Sequence, residues 1–383
     1  MIQAVLIFSI IVWILIGFLI IYSYFRTPFL KKHKDSVFKQ DAPLVSIIIP
    51  ARNEENNIEE CLESLLKQNY PKIEIVVIDD RSEDRTLELL KSLSAKDQRI
   101  KIVEVKELPS GWTGKSHALY EGVKHAQGEW LLFSDADTVH DSRCLAASMN
   151  YASKFNLDAV SVEPHFEWNK FFHKLTFPIF CLIVSCIFPI FTINRKDSKR
   201  TLSNGQYILI KAKVYESIGG HEKIKDRILE DLALAENVKK SGYSYNLVLG
   251  TELEKVRMYR DIKSYWQGWS RILFLALNKN LVSALILYVL FFTISLIPFL
   301  VLAFIVVLPQ PFLLLKSIVI LNAITIFLII IVNSFIMCIF RINPLYSLLH
   351  PISIIAAMAV GGNSIYTTYT KKGIEWKGVR YKV

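Results

Sequence analysis

The sequence predicts an α/β domain with a mostly parallel sheet, flanked by an N-terminal membrane anchor and a C-terminal membrane region. Short apolar runs alternate with stretches of about ten to fifteen residues that have helical patterning, which is typical of a parallel sheet covered by helices. Residues 1–24 carry no charged side chain, and long apolar regions return after residue 280. With 383 residues, the chain exceeds a single domain of roughly 100 to 200 residues.

The first apolar run predicts a retained membrane anchor over residues 1–25. It is about long enough to span a hydrocarbon core of roughly 30 Å. No basic residue precedes it and no small-residue cleavage site follows it, so a removable signal peptide is the poorer interpretation. A polar linker at 26–42 separates the anchor from the predicted domain at 43–271.

The C-terminal membrane region is predicted at 272–370, ahead of a basic tail at 371–383. Its long apolar stretches, 281–308 and 312–340, predict a helical hairpin. The apolar stretch at 345–360 is shorter and contains a proline, and we expect it to lie along or dip into the membrane without crossing.

The formal net charge of +10 is concentrated beside the apolar segments, at 31–34 and in the tail. Basic flanks favour the cytoplasmic side and anionic lipid headgroups, which predicts a multi-pass protein of the cell membrane with a cytoplasmic catalytic domain. No motif supports nucleic acid as a partner. The five cysteines lack metal-ligand spacing and are expected to be small buried side chains in a reducing compartment.

Apolar runs at 45–49, 74–78 and 130–133 predict buried strands. Each run is followed by acidic or amide side chains: Asn53 and Glu54, Asp79 and Asp80, and Asp135 and Asp137. Parallel strands bring these ends to one sheet edge, where α/β proteins bind ligands. Carboxylates suit Mg²⁺ or Mn²⁺, which usually complete their shell with substrate phosphates. The set predicts a nucleotide-diphosphate site, whereas one Asp-x-Asp step alone could be a solvated turn.

Two further motifs accompany these strand ends. The loop 108–115 contains Gly111, Gly114 and Lys115, which suit backbone approach and a point charge on phosphate, although the spacing is not that of a Walker A loop. Glu230-Asp231 opens an amphipathic helix, where a structural N-cap is the alternative interpretation.

The apolar stretch at 171–193 is long enough to invite a transmembrane interpretation. A single crossing there would place Asp137 and Asp231 on opposite sides of the bilayer. We therefore expect this segment to lie in the membrane interface, where it could guide a lipid acceptor.

Taken in order, these motifs resemble the signature of the family 2 glycosyltransferases with a GT-A fold. The matching stretches are VSIIIPARNE at 45–54, IVVIDDRS at 75–82, Gly114-Lys115, Asp135-Ala136-Asp137 and Glu230-Asp231. The apolar segments at both ends are similar to the lipid-modifying branch, which includes ceramide, hopanoid-associated and carotenoid-acid glycosyltransferases.

The resemblance implies roles for the matching residues. Asp231 would be the catalytic base beside Glu230, and Asp137 would hold Mg²⁺ or Mn²⁺ together with Asp135. Nucleotide binding would fall to Pro50, Arg52, Glu54, Asp80, Lys115 and Asp135. Arg52 departs from the pattern because many members carry an aromatic residue there, but a guanidinium can also stack on a base.

Near the C-terminal end of the domain, Gln267, Trp269 and Arg271 partly resemble the Gln-x-x-Arg-Trp signature of polysaccharide synthases. The arginine falls one place late and the final tryptophan is missing. Interface anchoring is the simpler interpretation for Tyr265 and Trp266, whereas Gln267, Trp269 and Arg271 are expected to help close the acceptor site.

The sequence thus predicts an inverting, metal-dependent glycosyltransferase that uses a nucleoside-diphosphate sugar, expected to be a UDP-sugar, and a membrane lipid acceptor. A processive polysaccharide synthase is disfavoured by the incomplete signature and by few spans for a polymer channel. A catalytically silent membrane scaffold is disfavoured by the joint presence of Asp80, Asp135, Asp137 and Asp231.

Overall fold

The computed structural model of the chain divides into two compact units. The α/β unit comprises Phe25–Glu167 and Ile190–Met258, and the apolar-helix unit comprises Met1–Tyr24, Trp168–Pro189 and Tyr259–Val383. The structure describes residues 1–31, 41–167, 170–259, 261–277, 279–307, 312–370, 374–376 and 379–381.

The strands, in chain order, are β1 (Val45–Ala51), β2 (Ile73–Asp80), β3 (Ile100–Val105), β4 (Trp130–Ser134), β5 (Thr138–His140), β6 (Ala159–Glu163), β7 (His165–Phe166), β8 (Tyr207–Lys211), β9 (Tyr245–Leu249), β10 (Glu254–Val256), β11 (Ile374–Trp376) and β12 (Val379–Tyr381). The α-helices are α1 (Ile2–Arg26), α2 (Ile58–Leu66), α3 (Thr86–Lys96), α4 (Gly114–Lys124), α5 (Cys144–Lys154), α6 (Phe171–Ile187), α7 (Ile190–Ile193), α8 (Ala212–Ser217), α9 (Glu230–Lys240), α10 (Ile262–Ala276), α11 (Leu281–Phe291), α12 (Ile297–Val307), α13 (Phe312–Ile339) and α14 (His350–Tyr369).

The main sheet of the α/β unit has seven strands in the order β3-β2-β1-β4-β8-β6-β9. All neighbouring pairs are parallel except those of β8, which is antiparallel to both β4 and β6. The predicted fold class, a mostly parallel α/β sheet with apolar helices towards both ends of the chain, is therefore confirmed. A smaller sheet has the strand order β5-β10-β7, and β11 pairs with β12.

The central strands are apolar because helices cover both of their faces. Every residue of β2 is buried, and Ile47 and Ile49 of β1 belong to the main core. Helix α4 packs on β1 and β2 at Gly122. A Cβ there would lie 2.4 Å from Cδ1 of Ile78, so only glycine permits this close approach of α4, the helix that carries Lys115.

The apolar-helix unit contains the helices that correspond to the predicted anchor and hairpin. Five helical segments in the described residues are long and apolar enough to cross a membrane: Ile2–Arg26, Phe171–Ile193, Leu281–Val307, Lys316–Ile339 and Pro344–Tyr369. The prediction that residues 171–193 lie in the interface stays a prediction, although the segment is divided between α6 and α7 at Pro189.

The last apolar helix is longer than the sequence pattern indicated. A 3₁₀ turn at Pro344–Leu349 leads into α14, which ends at Tyr369 rather than near residue 360. The proline stands in the first turn of α14, where its missing N–H removes no helical hydrogen bond. The length of this segment is therefore compatible with a membrane crossing. The argument against a crossing is the positive charge of the tail that follows it.

Candidate active site

The carboxyl ends of β1, β2 and β4 meet at one edge of the main sheet. The ladder between β1 and β4 pairs Ile48 with Phe133 and ends there, two residues before Pro50. Pro50 has no N–H to donate, so it is suited to this position beyond the ladder. The β1–β2 ladder continues to Ala51 opposite Asp79, which brings Arg52 and Asp80 to the same edge.

The loops after β1 and β2 are fastened to each other. The N–H of Asn53 donates to Oγ of Ser82 at 3.1 Å, and the N–H of Glu83 donates to Oδ1 of Asn53 at 2.8 Å. Asn53 adopts a left-handed conformation (φ 53°), which asparagine tolerates better than most residues. The cross-link fixes the loop that carries Arg52 and Glu54 beside the loop that carries Asp80.

Two of the predicted nucleotide-binding carboxylates are buried and held by neighbours. Oε2 of Glu54 accepts a hydrogen bond from Nδ2 of Asn57 at 2.6 Å, and Oδ1 of Asp80 accepts one from Nε of Arg81 at 2.8 Å. Both side chains are less than one-tenth exposed. Their positions are therefore set before any ligand is present.

Lys115 lies in a helix rather than in the predicted loop. Thr113 is the N-cap of α4 and accepts a hydrogen bond from the N–H of Ser116, so Gly114 and Lys115 form the first turn. Nζ of Lys115 is 2.7 Å from Oδ1 of Asp135 and 2.9 Å from Oε1 of Glu230. Burial favours the neutral amine, but the nearby carboxylates outweigh it and raise the pKa of Lys115 above its ordinary value.

The Asp-Ala-Asp segment is positioned by hydrogen bonds to its backbone. The carbonyl of Asp135 accepts from Oγ1 of Thr138 at 2.7 Å, and the carbonyl of Asp137 accepts from the N–H of Arg257 at 3.3 Å. The guanidinium of Arg257 is itself held by Glu60 and Glu167. The two aspartates supply hard oxygen donors one residue apart.

Asp231 occupies the first turn of α9, whose N-cap is Leu229. Neither Glu230 nor Asp231 is therefore the N-cap, although both carboxylates lie in the first turn, where negative charge favours the helix N-terminus. Oδ2 of Asp231 accepts from the N–H of Gly205 at 2.9 Å, and Oδ1 accepts from the N–H of Leu232 at 2.7 Å. Burial and the charge of Glu230 raise the pKa of Asp231 to about 6, against the opposing effect of Lys115 and these two N–H groups.

Residues 46–209 match the family model for glycosyl transferase family 2. This part of the chain is therefore similar to glycosyl transferase family 2. A region of 239 residues is 27% identical to 4,4'-diaponeurosporenoate glycosyltransferase of Staphylococcus aureus (strain MRSA252), covering 59% of this chain and 60% of that relative. The protein of the same name from strain USA300 is 26% identical over 239 residues with the same coverage. The match thus spans about three fifths of these relatives' length.

Solved structures similar to this chain include the mannosyltransferase PcManGT from Pyrobaculum calidifontis in complex with GDP-Man and Mn²⁺. That similarity covers 97% of this chain and 91% of the other, with 17% identity and a TM-score of 0.49. The structure of S. aureus TarS 1–349 in complex with UDP covers 59% of this chain and 63% of its own, with 21% identity and a TM-score of 0.42.

Sequence reasoning overlooked one carboxylate at the same sheet edge as the family 2 motifs. Glu163 ends β6, which runs parallel to β4 because β8 is antiparallel to both. Its Oε2 accepts from Nδ2 of Asn204 at 3.2 Å. Burial and the charge of Asp231 raise the pKa of Glu163 to about 7, although Asn204 opposes the shift. Glu163 would have been predicted as a site residue if β6 had been known to run parallel to β4, because acidic residues at the ends of parallel strands meet at one sheet edge.

A second overlooked carboxylate, Glu254 of β10, is fully buried in the α/β unit. Neither of its carboxylate oxygens has a hydrogen-bond partner among the residues that the structure describes. Burial, followed by the charges of Glu163, Asp135 and Asp137, raises the pKa of Glu254 well above its ordinary value. No sequence signal marked it, because its place follows only from the pairing of β10 with β5.

Three predicted acceptor residues, Gln267, Trp269 and Arg271, lie on α10 in the apolar-helix unit, outside the unit that holds the other site residues. Trp269 is buried and stacks on Phe180 with ring centroids 4.3 Å apart, so it packs α10 against α6. Tyr265 is also buried, and its hydroxyl hydrogen-bonds Thr176 at 2.7 Å. The interface-anchor interpretation is therefore wrong for Tyr265, while Trp266 is exposed.

Proposed function

We propose that the protein is an inverting glycosyltransferase that moves a sugar from a nucleoside-diphosphate sugar, expected to be a UDP-sugar, to a membrane lipid. The observation that carries this proposal is the position of Lys115 between Asp135 and Glu230. One ammonium group joins the Asp-Ala-Asp segment to the segment that bears Asp231. Donor-binding and proton-accepting groups would thus share one charge network.

Pro50, Arg52, Glu54 and Asp80 would line the nucleoside pocket, and Lys115 would contact the diphosphate. A carboxylate such as Asp80 can accept hydrogen bonds from ribose hydroxyls or a base N–H. The ammonium group of Lys115 would offset phosphate charge. Because its partners are carboxylates in the structure, donor binding would exchange one set of anionic oxygens for another.

Asp137 and Asp135 would hold Mg²⁺ or Mn²⁺, which would neutralise the departing diphosphate. Within the described ranges, no group of three or more His, Cys, Asp or Glu side chains is arranged to hold a metal ion. Two carboxylates nevertheless fit an ion of this type, since it commonly takes one or two protein carboxylates together with water and phosphate oxygens.

Asp231 would accept the proton of the acceptor hydroxyl. A pKa of about 6 leaves most of this carboxylate ionised at neutral pH while it remains basic enough to take a proton. The N–H of Gly205 orients the carboxylate. Gly205 itself leaves room for the cluster, because a Cβ there would lie 3.1 Å from Nζ of Lys115.

A lipid acceptor is supported by the candidate spans and by the relative whose name specifies 4,4'-diaponeurosporenoate, a carotenoid acid. The basic flanks of the spans support a multi-pass protein of the cell membrane with the α/β unit in the cytoplasm. Gln267, Trp269 and Arg271 remain the residues proposed for the acceptor side, and Glu230, beside Asp231, is proposed to join them.

The proposal is tested by incubating the purified full chain with Mn²⁺ or Mg²⁺, a panel of nucleotide sugars and a lipid extract. Mass spectrometry of the lipid fraction should reveal a lipid carrying one added sugar. A polymeric product would instead identify a polysaccharide synthase, and no turnover of any donor would support a silent scaffold.

Asp231→Asn should keep nucleotide affinity but lower transfer to a hydroxyl lipid by roughly 10²- to 10⁴-fold. Asp226→Asn, at an exposed position shortly before α9, is the matched control. A carboxylic-acid lipid is already ionised near neutral pH and needs no base, so its transfer should fall less in Asp231→Asn. Loss of nucleotide affinity with turnover retained would show that the role of Asp231 is wrongly assigned.

A further inference from the structure

The apolar-helix unit contains a recess lined by side chains from α6, α10, α11 and α14. Its empty volume, which includes space open to solvent, is about 540 Å³. Ile183, Leu273, Phe291 and Ala357 represent the four helices in its lining.

The chemistry of the recess selects an apolar occupant. Tyr288 provides the sole polar side-chain group among the described lining residues, and its hydroxyl already donates to the carbonyl of Met358. An ordered water needs two to four polar partners, which this lining does not offer. A hydrocarbon chain needs none.

The recess is built into the packing of the helices. Ala284, Ala357 and Gly361 line it with little volume of their own, and a Cβ at Gly361 would lie 3.0 Å from Oη of Tyr288. Oγ of Ser364 accepts from the N–H of Phe274 at 3.1 Å, and Nδ2 of Asn363 donates to Oγ of Ser270 at 2.9 Å. These bonds fasten α10 to α14, so the walls are in place before a ligand binds.

A widened helical turn adjoins the recess. Residues 292–296 form a π-helical turn directly after Phe291, and such turns occur frequently at functional sites. The turn is supported from outside the recess by Trp13, whose Nε1 donates to the carbonyl of Ile294 at 2.9 Å.

We propose that this recess holds the hydrocarbon chain of the lipid acceptor, an inference that rests on the proposed function. Helices α6, α11 and α14 belong to candidate spans, whereas α10 does not. The recess therefore joins helices suited to the hydrocarbon core to α10, which carries Gln267 nearly two turns, and Arg271 about half a turn, before Leu273. This arrangement suits one amphipathic molecule, with its chain in the recess and its polar end towards those side chains.

The test fills the recess and follows a lipid probe. Ala357→Phe places a ring in the lining, and Ala359→Phe places the same ring at an exposed position of the same helix. Ala284→Leu on α11, paired with exposed Ala303→Leu on α12, repeats the comparison from another wall. A long-chain fatty acid bearing a diazirine is cross-linked to the full chain in detergent, and the labelled peptides are identified by mass spectrometry.

Labelling of α10 and α14 should fall strongly in Ala357→Phe and Ala284→Leu and persist in both controls. The KM for a long-chain acceptor should rise by about tenfold or more, while donor hydrolysis without acceptor and transfer to a short-chain analogue stay unchanged. A bilayer phospholipid in excess should compete poorly with the fatty acid.

The assignment would be overturned if the phospholipid competed as well as the fatty acid does. It would also be overturned if neither Ala357→Phe nor Ala284→Leu changed the labelling. Either result would indicate ordinary contact with bulk lipid. Absence of donor turnover in the unchanged protein would count against the proposed function instead. In that case, labelling that is selective for the recess would still support a lipid-chain site.

Discussion

The ammonium nitrogen of Lys115 lies 2.9 Å from Oε1 of Glu230. The same nitrogen contacts Asp135, so a single side chain at the start of α4 connects the carboxyl end of β4 with the start of α9. The carboxylates of Asp135, Glu230 and Asp231 all influence the pKa of this amine. Removing the positive charge of Lys115 should therefore disturb both the end of β4, at Asp135, and the start of α9, at Glu230.

Lys115→Met should weaken binding of a nucleoside diphosphate by roughly 10- to 100-fold, since a hydrogen bond to a charged group contributes about 1.5–3 kcal/mol. The reason is the loss of the cation between Asp135 and Glu230. Calorimetric titration with UDP measures the effect. Lys124→Met removes a lysine from the same helix that pairs with Glu121 at the surface and should leave affinity unchanged. Equal affinities in the two variants would contradict the role of Lys115.

Much of this site could be predicted because one physical rule governs it. Parallel strands end at a common edge, so Asp80, Asp135 and Asp137 could be brought together from local patterns alone. Glu163 obeys the same rule, but it was overlooked because its strand is separated from β4 by the antiparallel β8. Strand order depends on long-range packing, which local residue patterns do not encode.

Other features depended on contacts between distant segments. The burial of Tyr265 follows from α10 packing against α6, with Thr176 as its hydrogen-bond partner, and an aromatic residue near a membrane border gives no sign of this. The helical position of Lys115 follows from the cap formed by Thr113. A Gly-rich stretch predicts a loop more readily than a capped first turn.

Metal dependence should rest on Asp137. Asp137→Asn should lower retention of Mn²⁺ in the presence of UDP by about tenfold or more, because an amide is a far poorer ligand than a carboxylate for a hard cation. Electron paramagnetic resonance of free and bound Mn²⁺ measures this without relying on turnover. Asp41→Asn, at an exposed position before β1, is the control. Full Mn²⁺ retention in Asp137→Asn, or full transfer activity in chelator, would refute the assignment.

The pH dependence of transfer should report Asp231. A general base acts when deprotonated, so kcat/KM should rise with pH and reach half its maximum near the pKa of about 6. Lys115 lowers that pKa, so Lys115→Met should move this acidic limb to higher pH, and Lys115→Arg should leave it nearer its original position. A limb that stays fixed or moves to lower pH in Lys115→Met would rule out this coupling.

The same shift affects stability with a definite sign. The pKa of Asp231 in the folded protein lies above its ordinary value. The stability that the protonated carboxyl contributes to the fold is therefore present below about pH 4 and is lost as pH rises through about 6. Asp231→Asn should therefore raise the melting temperature more at pH 8 than at pH 4.

Glu74 should stabilise the sheet without affecting transfer chemistry. Its Oε1 accepts from Oγ of Ser46 and from the N–H of Gln127, and its Oε2 accepts from Nζ of Lys101 at 2.6 Å. Burial opposes ionisation, but these donors outweigh it and lower the pKa of Glu74. Glu74→Gln should lower the free energy of unfolding by about 1–3 kcal/mol at pH 7.

The pH dependence of the Glu74 effect has the opposite sign to that of Asp231. A lowered pKa contributes stability that is present above the ordinary value of about 4.3 and is lost as pH falls through the folded-state pKa. The difference between the wild type and Glu74→Gln should therefore shrink in acid, as followed by circular dichroism during unfolding. Glu104→Gln removes an exposed carboxylate paired with Lys91 and should change little. A difference that grew in acid would exclude this account.

The membrane topology can be decided at the two chain ends. Basic residues after the first span predict that the N-terminus lies outside and the α/β unit inside. Helix length permits Pro344–Tyr369 to cross, but a crossing there would move five basic residues of the tail outside. We expect the positive charge to prevail and the tail to stay cytoplasmic. Residue 382 lies outside the described part of the structure, so the prediction rests on the sequence alone.

The measurement uses a membrane-impermeant thiol reagent on intact cells. The background carries Cys338→Ser, because the native cysteine at 338 is exposed. Ile2→Cys should be labelled in intact cells, and Lys382→Cys should be labelled after permeabilisation alone. Ready labelling of Lys382→Cys in intact cells would mean that the last helix crosses and that the length of α14 outweighs the charge of the tail. Protection at both sites would instead place the N-terminus inside and reverse the orientation of the first span.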